Sequence, residues 1–147
     1  MKNTPVEILF IEDNPHEAEL TIRSLKKHNL ANKLKHIDDG AEAVEFIFTK
    51  CVDTTLPDAM KPKLIILDLK LPKVDGIEIL RKLKADDRTR SIPVVVLTSS
   101  QEEKDVIESY KLGVNSYIVK PMNFDSFSKA VSDLGLYWAV LNNVPEF

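Results

Sequence analysis

The sequence predicts a doubly wound α/β domain, one parallel sheet with helices on both faces. Apolar runs of strand length alternate with segments of helical period, in a β-α order repeated five times, and no repeat, low-complexity tract or linker divides them. Three of the strand candidates are unbroken apolar runs, as expected of parallel strands covered on both faces. The chain has 147 residues with 44% apolar content, the length of one domain that buries about two-thirds of its unfolded surface without disulfides or metals.

The strands predicted in order are Val6–Ile11, Lys33–Asp38, Leu64–Leu67, Pro93–Leu97 and Ser116–Val119. After the first, Asn14-Pro15-His16-Glu17 offers an N-cap, a proline at the first helical position and an acid at the third. Ala18, Ile22 and Leu25 then share one face of a helix reaching His28. A second helix is expected over Ala41–Thr49 and a third over Gly76–Ala85, with Ile77, Leu80 and Leu83 as its apolar face. Ser100 and Glu103 repeat the capping-box spacing before Val106, Ile107 and Tyr110, and Gly113 stands where a left-handed residue closes a helix. The last helix begins near Asn123, with Phe127, Val131, Leu134, Trp138 and Leu141 in one stripe to the end of the segment. Cys51–Lys63, broken by Pro57 and Pro62, is longer than the usual connection of about 4 to 6 residues and reads as a surface insertion.

Composition excludes several functions. Twenty basic residues against 23 acidic ones give a net charge of -3, so no basic field exists to attract nucleic acid or anionic lipid. The single cysteine, Cys51, rules out an internal disulfide or a Cys-rich zinc site. No apolar run approaches the roughly 20 residues needed to cross a bilayer. The early apolar stretch contains Glu7 and runs into Glu12-Asp13, unlike a targeting signal. A soluble cytoplasmic protein is expected. The four glycines form neither a dinucleotide-binding nor a P-loop pattern, which removes Rossmann dehydrogenases and P-loop ATPases.

Ligands of open α/β sheets bind beyond the carboxyl ends of the strands. Those ends read Ile11-Glu12-Asp13, Leu67-Asp68, Leu97-Thr98-Ser99 and Val119-Lys120-Pro121. One Asp after a strand is usually the cap of the next helix. Three carboxylates at one edge repel each other unless a cation or a proton intervenes. All-oxygen ligation by a few carboxylates favours Mg²⁺, which leaves positions open to phosphate oxygens, and Lys120 makes the same pocket attractive to a phosphoryl group.

These blocks, with Pro72 and Gly76 following Asp68, resemble in order and spacing the signature of the receiver domain of two-component response regulators. The resemblance runs over residues 5–141, with 142–147 as a C-terminal extension, so 1–147 reads as a single receiver domain. It implies the flavodoxin-like (βα)5 sandwich, a parallel five-stranded sheet of order 2-1-3-4-5. The connection before strand three and the ending from Tyr137-Trp138 to Pro145 are similar to the single-domain receivers that serve cyanobacterial phytochrome kinases.

The resemblance implies a role for each residue. Asp68 accepts a phosphoryl group from a phosphohistidine of a sensor histidine kinase. Mg²⁺ is held by Asp13, Asp68 and the backbone carbonyl of Lys70, with Glu12 acting through water. Thr98, Ser99 and Lys120 hold phosphoryl oxygens, and a cis bond before Pro121 aims Lys120. Thr98 and Tyr117 form the switch that remodels the fourth helix, fifth strand and fifth helix. Lys70 and Ser100 sit where the family holds a hydrolytic water, and neither is a carboxylate or amide, so a long-lived phosphorylated form is expected.

Six residues follow Leu141, so the expectation is a stand-alone signalling switch that catalyses only its own phosphorylation and dephosphorylation. Tyr137 and Trp138 suggest a homodimer or kinase contact through the C-terminal helix. A haloacid-dehalogenase-type phosphohydrolase also uses a strand-terminal Asp but needs a second acid where Lys70 stands. A flavodoxin-like flavin protein needs a phosphate loop after strand one that is absent here. A receiver that is never phosphorylated would have lost acidic or basic site positions that this chain retains. His16, His28 and His36 have neither metal-site spacing nor a cysteine partner, and read as surface or helix-end residues.

Overall fold

The computed structural model describes residues 7–27, 34–52, 61–71, 73–99, 102–120 and 124–135. Apolar strand runs and capped helical segments alternate as β1 (Ile8–Ile11), α1 (Pro15–Lys27), β2 (Leu34–Ile37), α2 (Gly40–Phe46), β3 (Leu64–Leu67), α3 (Gly76–Ala85), β4 (Val94–Thr98), α4 (Glu103–Lys111), β5 (Ser116–Val119) and α5 (Phe124–Gly135). The five strands form one parallel sheet of order β2-β1-β3-β4-β5. Right-handed crossovers on either side of β1 put α1 and α5 on one face and α2, α3 and α4 on the other. No described helix is long and apolar enough to cross a membrane.

Alternation along the strands divides the core in two. Leu9, Ile11, Ile65, Leu67, Val94 and Val96 face Ala43, Ile79, Leu80 and Leu83 of α2 and α3. Ile8, Phe10, Leu64, Ile66, Val95 and Leu97 face Ala18 and Leu25 of α1 and Val131 of α5. Every residue of β1, β3 and β4 is buried, which is why those strands read as unbroken apolar runs. The ends of these central strands are therefore held on both faces.

Several boundaries differ from the sequence expectation. Strand β4 runs from Val94 rather than Pro93, which has no N–H, and extends through Thr98 because Thr98 pairs with Val119. Helix α2 is capped by Asp39, whose carboxylate accepts from the N–H groups of Ala41 and Glu42, and continues past Phe46 as a π-helical turn over Ile47–Cys51. Helix α4 starts at Glu103 with Glu102 as its N-cap, so Glu103 is the first helical residue and not the third of a box begun by Ser100.

The face of α4 also differs. Ser109 is buried and Leu112 packs on the core, so the inward stripe runs Asp105, Ser109 and Leu112 while Ile107 and Tyr110 are exposed. Gly113 does adopt a left-handed φ of 95°, with its N–H on the Tyr110 carbonyl. The termination of this helix follows the expected glycine. Burial pushes the Cys51 thiol up to about 11, consistent with an inert core cysteine. Residues 53–60 of the expected insertion, and the expected helical stretch after Gly135, lie outside the described residues.

Gly76 seats α3 directly on the backbone after β3. A Cβ there would stand 2.5 Å from both the Asp68 carbonyl oxygen and the Leu69 Cα, and the Gly76 N–H donates to the Leu69 carbonyl at 3.0 Å. Backbone cannot yield as a flexible side chain does. Gly76→Ala should therefore cost roughly 1–3 kcal/mol, the range for overpacking, and denaturant unfolding will measure it. Unchanged stability would show that the β3–α3 turn can shift freely.

Candidate functional site

The carboxyl ends of β1, β3, β4 and β5 deliver Glu12, Asp68, Thr98 and Lys120 to one point. Backbone bonds continue the ladder past the strands: Asp68 N–H donates to Ile11 at 3.1 Å, Glu12 N–H to Ile37 at 3.2 Å, and Lys120 N–H to Thr98 at 2.8 Å. These bonds tie the end of β3 to β1, of β1 to β2 and of β5 to β4. Glu12, Asp68 and Thr98 are buried, and only 5% of the Lys120 side chain is exposed.

Lys120 Nζ donates to Glu12 Oε1 at 2.5 Å, Glu17 Oε2 at 2.8 Å and Asp68 Oδ2 at 3.1 Å. An ammonium has three N–H bonds, so all of its donors are engaged. Asp68 Oδ1 accepts from the Lys70 N–H at 3.1 Å, and the Asn14 N–H approaches Glu12 Oε2 at 3.3 Å. Both acids are thus held on two sides.

Burial pushes the Glu12 carboxyl up to about 8, and its hydrogen bond with Asp68 adds to the rise against the opposing pull of Lys120. Burial also acts upward on Asp68, but the Glu12 hydrogen bond, the Lys120 charge, the Lys70 N–H and the Thr98 hydroxyl together hold it below the ordinary aspartate value. Desolvation disfavours the Lys120 ammonium, yet Glu12, Glu17 and Asp68 raise its pKa above that of an ordinary lysine. Burial therefore acts to raise the Glu12 carboxyl while its neighbours act to lower that of Asp68.

Glu12, Glu17 and Asp68 each offer an oxygen within 4.8 Å of the others. Hard oxygen donors around one buried ammonium fit a divalent cation of the magnesium or manganese type. The half-buried Asp13 follows Glu12 in the same turn, but its carboxylate is not part of that close group. Glu17 is, although in the sequence it reads only as a helix-start acid. The available signal was its place on the first turn of α1, at the same sheet edge as Glu12. His36 Nε2 lies 2.8 Å from the Glu12 carbonyl oxygen with its ring against Phe10, so this histidine braces the site backbone and is not a free surface group.

Ser99 is exposed at the end of β4, and Tyr117 is half-buried against the core on β5. Lys70 turns away from Asp68: its ammonium pairs with Asp105 of α4 at 3.1 Å. Pro72, Ser100 and Pro121, and with Pro121 the expected cis bond, lie outside the described residues, as do Tyr137 and Trp138.

Residues 8–132 match the family model described as the response regulator receiver domain. The chain belongs to this family, the receivers of two-component systems. Several of the solved structures it resembles are named as phytochrome or bacteriophytochrome response regulators. It is 37% identical over 143 residues to the response regulator Rcp1 of Synechocystis sp., covering 97% of this chain and 95% of that protein. The Mn²⁺-bound structure of Rcp1 superposes with a TM-score of 0.84 at 36% identity, over 97% of this chain and all of that one. The phosphorylated cyanobacterial phytochrome response regulator RcpA gives 0.85 at 33% identity, with 97% and 100% covered. The bacteriophytochrome response regulator AtBRR is 47% identical at a TM-score of 0.70, with 96% and 100% covered.

The raised Glu12 pKa fixes the sign of one pH effect. Between the ordinary glutamate value of 4.5 and about 8, folded Glu12 holds a proton that the unfolded chain has released. Its contribution therefore makes the metal-free protein less stable as pH rises through that window. Urea unfolding in chelator at pH 5.5, 7 and 8.5 should show the decline, and Glu12→Gln should flatten it. An identical slope in the variant would assign the effect to another group.

Proposed function

We propose that this chain is a stand-alone response regulator that takes a phosphoryl group from a sensor histidine kinase onto Asp68 in a Mg²⁺-dependent reaction. The observation that carries this reading is a buried Asp68 at the end of β3 whose Oδ2 accepts from the Lys120 ammonium at 3.1 Å, an arrangement that lowers its carboxyl pKa. A carboxylate nucleophile must be ionised and must face cations that accept the incoming charge. The relatives' phytochrome names support a phytochrome-type kinase as donor. The coverage of Rcp1 over 95% of its length supports a single receiver domain.

An Asp68 carboxylate oxygen attacks phosphorus as the N–P bond of the phosphohistidine breaks. The electron pair returns to the imidazole nitrogen, and a proton from water restores neutral histidine. Mg²⁺ would be held by Asp13, Asp68, the Lys70 carbonyl and, through water, Glu12, and when bound it neutralises charge on the transferring group. Lys120, Thr98 and Ser99 hold the phosphoryl oxygens. Drawing Thr98 inward leaves room for Tyr117, and the change passes to α4, β5 and α5 as a phosphorylation-dependent protein contact.

Acetyl phosphate with Mg²⁺ should give a singly phosphorylated, base-labile protein by mass spectrometry, and Asp68→Asn should give none, because an amide is not a nucleophile. Undiminished modification of that variant would sink the assignment.

The phosphorylated form should persist, because Lys70 and Ser100 supply no carboxylate or amide to orient water. Lys70 is engaged with Asp105, so any shielding of the phosphoryl group by its ammonium requires an exchange of partners. Phosphoryl half-life after removal of the donor should shorten in Lys70→Asn and in Ser100→Glu. Equal half-lives in all three proteins would place control of lifetime elsewhere.

A further inference from the structure

Glu17 is the acid of the cluster to which the reading above gives no task. It stands on the first turn of α1, about one-third exposed, with its carboxylate 2.8 Å from Lys120 Nζ. Its backbone is immobilised. The Glu17 N–H donates to the Asn14 side chain at 3.0 Å, and the Glu17 carbonyl accepts from the Thr21 hydroxyl at 2.9 Å. Ala18, Thr21 and Leu25 bury the same helix, with Ala18 and Leu25 packed against the sheet.

Lys120 has spent its three donors on Glu12, Glu17 and Asp68. On the reading that Asp68 is the phosphoacceptor, two of these partners change during the reaction. Glu12 would serve Mg²⁺ through water, and an Asp68 oxygen would become part of an acyl phosphate. Glu17 alone keeps its charge and its place. A lysine is a point charge on a flexible four-carbon stem, and its side-chain entropy opposes any single placement. An anion on a rigid helix removes much of that freedom before phosphoryl transfer begins.

We propose that Glu17 is a positioning residue for Lys120, anchoring the ammonium beside Asp68 while its bond to Glu12 is exchanged for one to a phosphoryl oxygen. The 2.8 Å approach of Nζ to a carboxylate on a helix turn held by the Asn14 and Thr21 side chains carries this role.

The test uses the full chain, acetyl phosphate and saturating Mg²⁺, with phosphorylation rate followed by mass spectrometry and Mg²⁺ affinity by calorimetry. Glu17→Ala should slow phosphorylation by about tenfold, the size of one charge-assisted hydrogen bond, with Mg²⁺ affinity unchanged. Glu17→Gln should recover part of the rate, because its amide oxygen still accepts from Nζ. Thermal unfolding of both variants checks that α1 is intact. An unchanged rate in Glu17→Ala overturns the proposal, as does a weakened Mg²⁺ affinity, which would make Glu17 a ligand. Glutamine no better than alanine also overturns it. Asp68→Asn run alongside separates these outcomes from failure of the acceptor assignment, since that failure alone leaves Asp68→Asn phosphorylated.

Discussion

Carboxylates gathered at the end of a sheet repel one another, and in this protein the ammonium of Lys120 makes the gathering tolerable. Lys120 is nearly sealed from solvent and reaches Glu12, Glu17 and Asp68 together. Removing a buried charge from its partners is far more costly than rearranging exposed ones. The rest of the site follows from this balance. Burial pushes the Glu12 carboxyl up, while Lys120, the Lys70 N–H and the Thr98 hydroxyl pull that of Asp68 down. A divalent cation and a phosphoryl group are the two species whose arrival would rearrange it most directly.

The fold supports this arrangement by leaving the strand ends little freedom. The residues of β1, β3 and β4 are packed on both faces, and backbone bonds beyond the strands tie Glu12 to Ile37, Asp68 to Ile11 and Lys120 to Thr98. His36 takes the Glu12 carbonyl, and Gly76 lets α3 close against the Asp68 carbonyl. Such rigidity holds reacting groups in one geometry, where displacements of an ångström matter.

Helix α4 contrasts with that rigidity. Ser109 is its buried residue, Ile107 and Tyr110 face outward, and Arg81 and Lys70 tie it to its surroundings through Glu108 and Asp105. Few buried apolar contacts mark a segment drawn from the low-stability end of a fold. The Lys70–Asp105 pair runs from the loop after the candidate phosphoacceptor to the first turn of this helix, so a change of charge on Asp68 acts on a neighbour of that pair. Electrostatics at the site and packing of the helix meet there.

The sequence by itself determined the fold class, four of the strand-end residues and the punctuation of several helices, because these depend on local periodicity and on chemistry at fixed positions along the chain. Unbroken apolar runs of four or five residues bounded by turn signals fit central parallel strands, and Asn14, Asp68, Lys120 and Gly113 each follow or close an element visible in the pattern. The tertiary structure decided what depends on contact across long stretches of chain. Glu17 looks like any helix-start acid until Lys120, more than a hundred residues later, is folded against it, and His36 is unremarkable until β2 pairs with β1. The outward placement of Ile107 and Tyr110 likewise depends on which stripe of α4 meets the core, which hydrophobicity alone misassigned to these two residues. Whether Lys70 faces Asp68 or Asp105 was decided by the docking of that helix, since a lysine takes whichever anion the packed neighbours leave within reach.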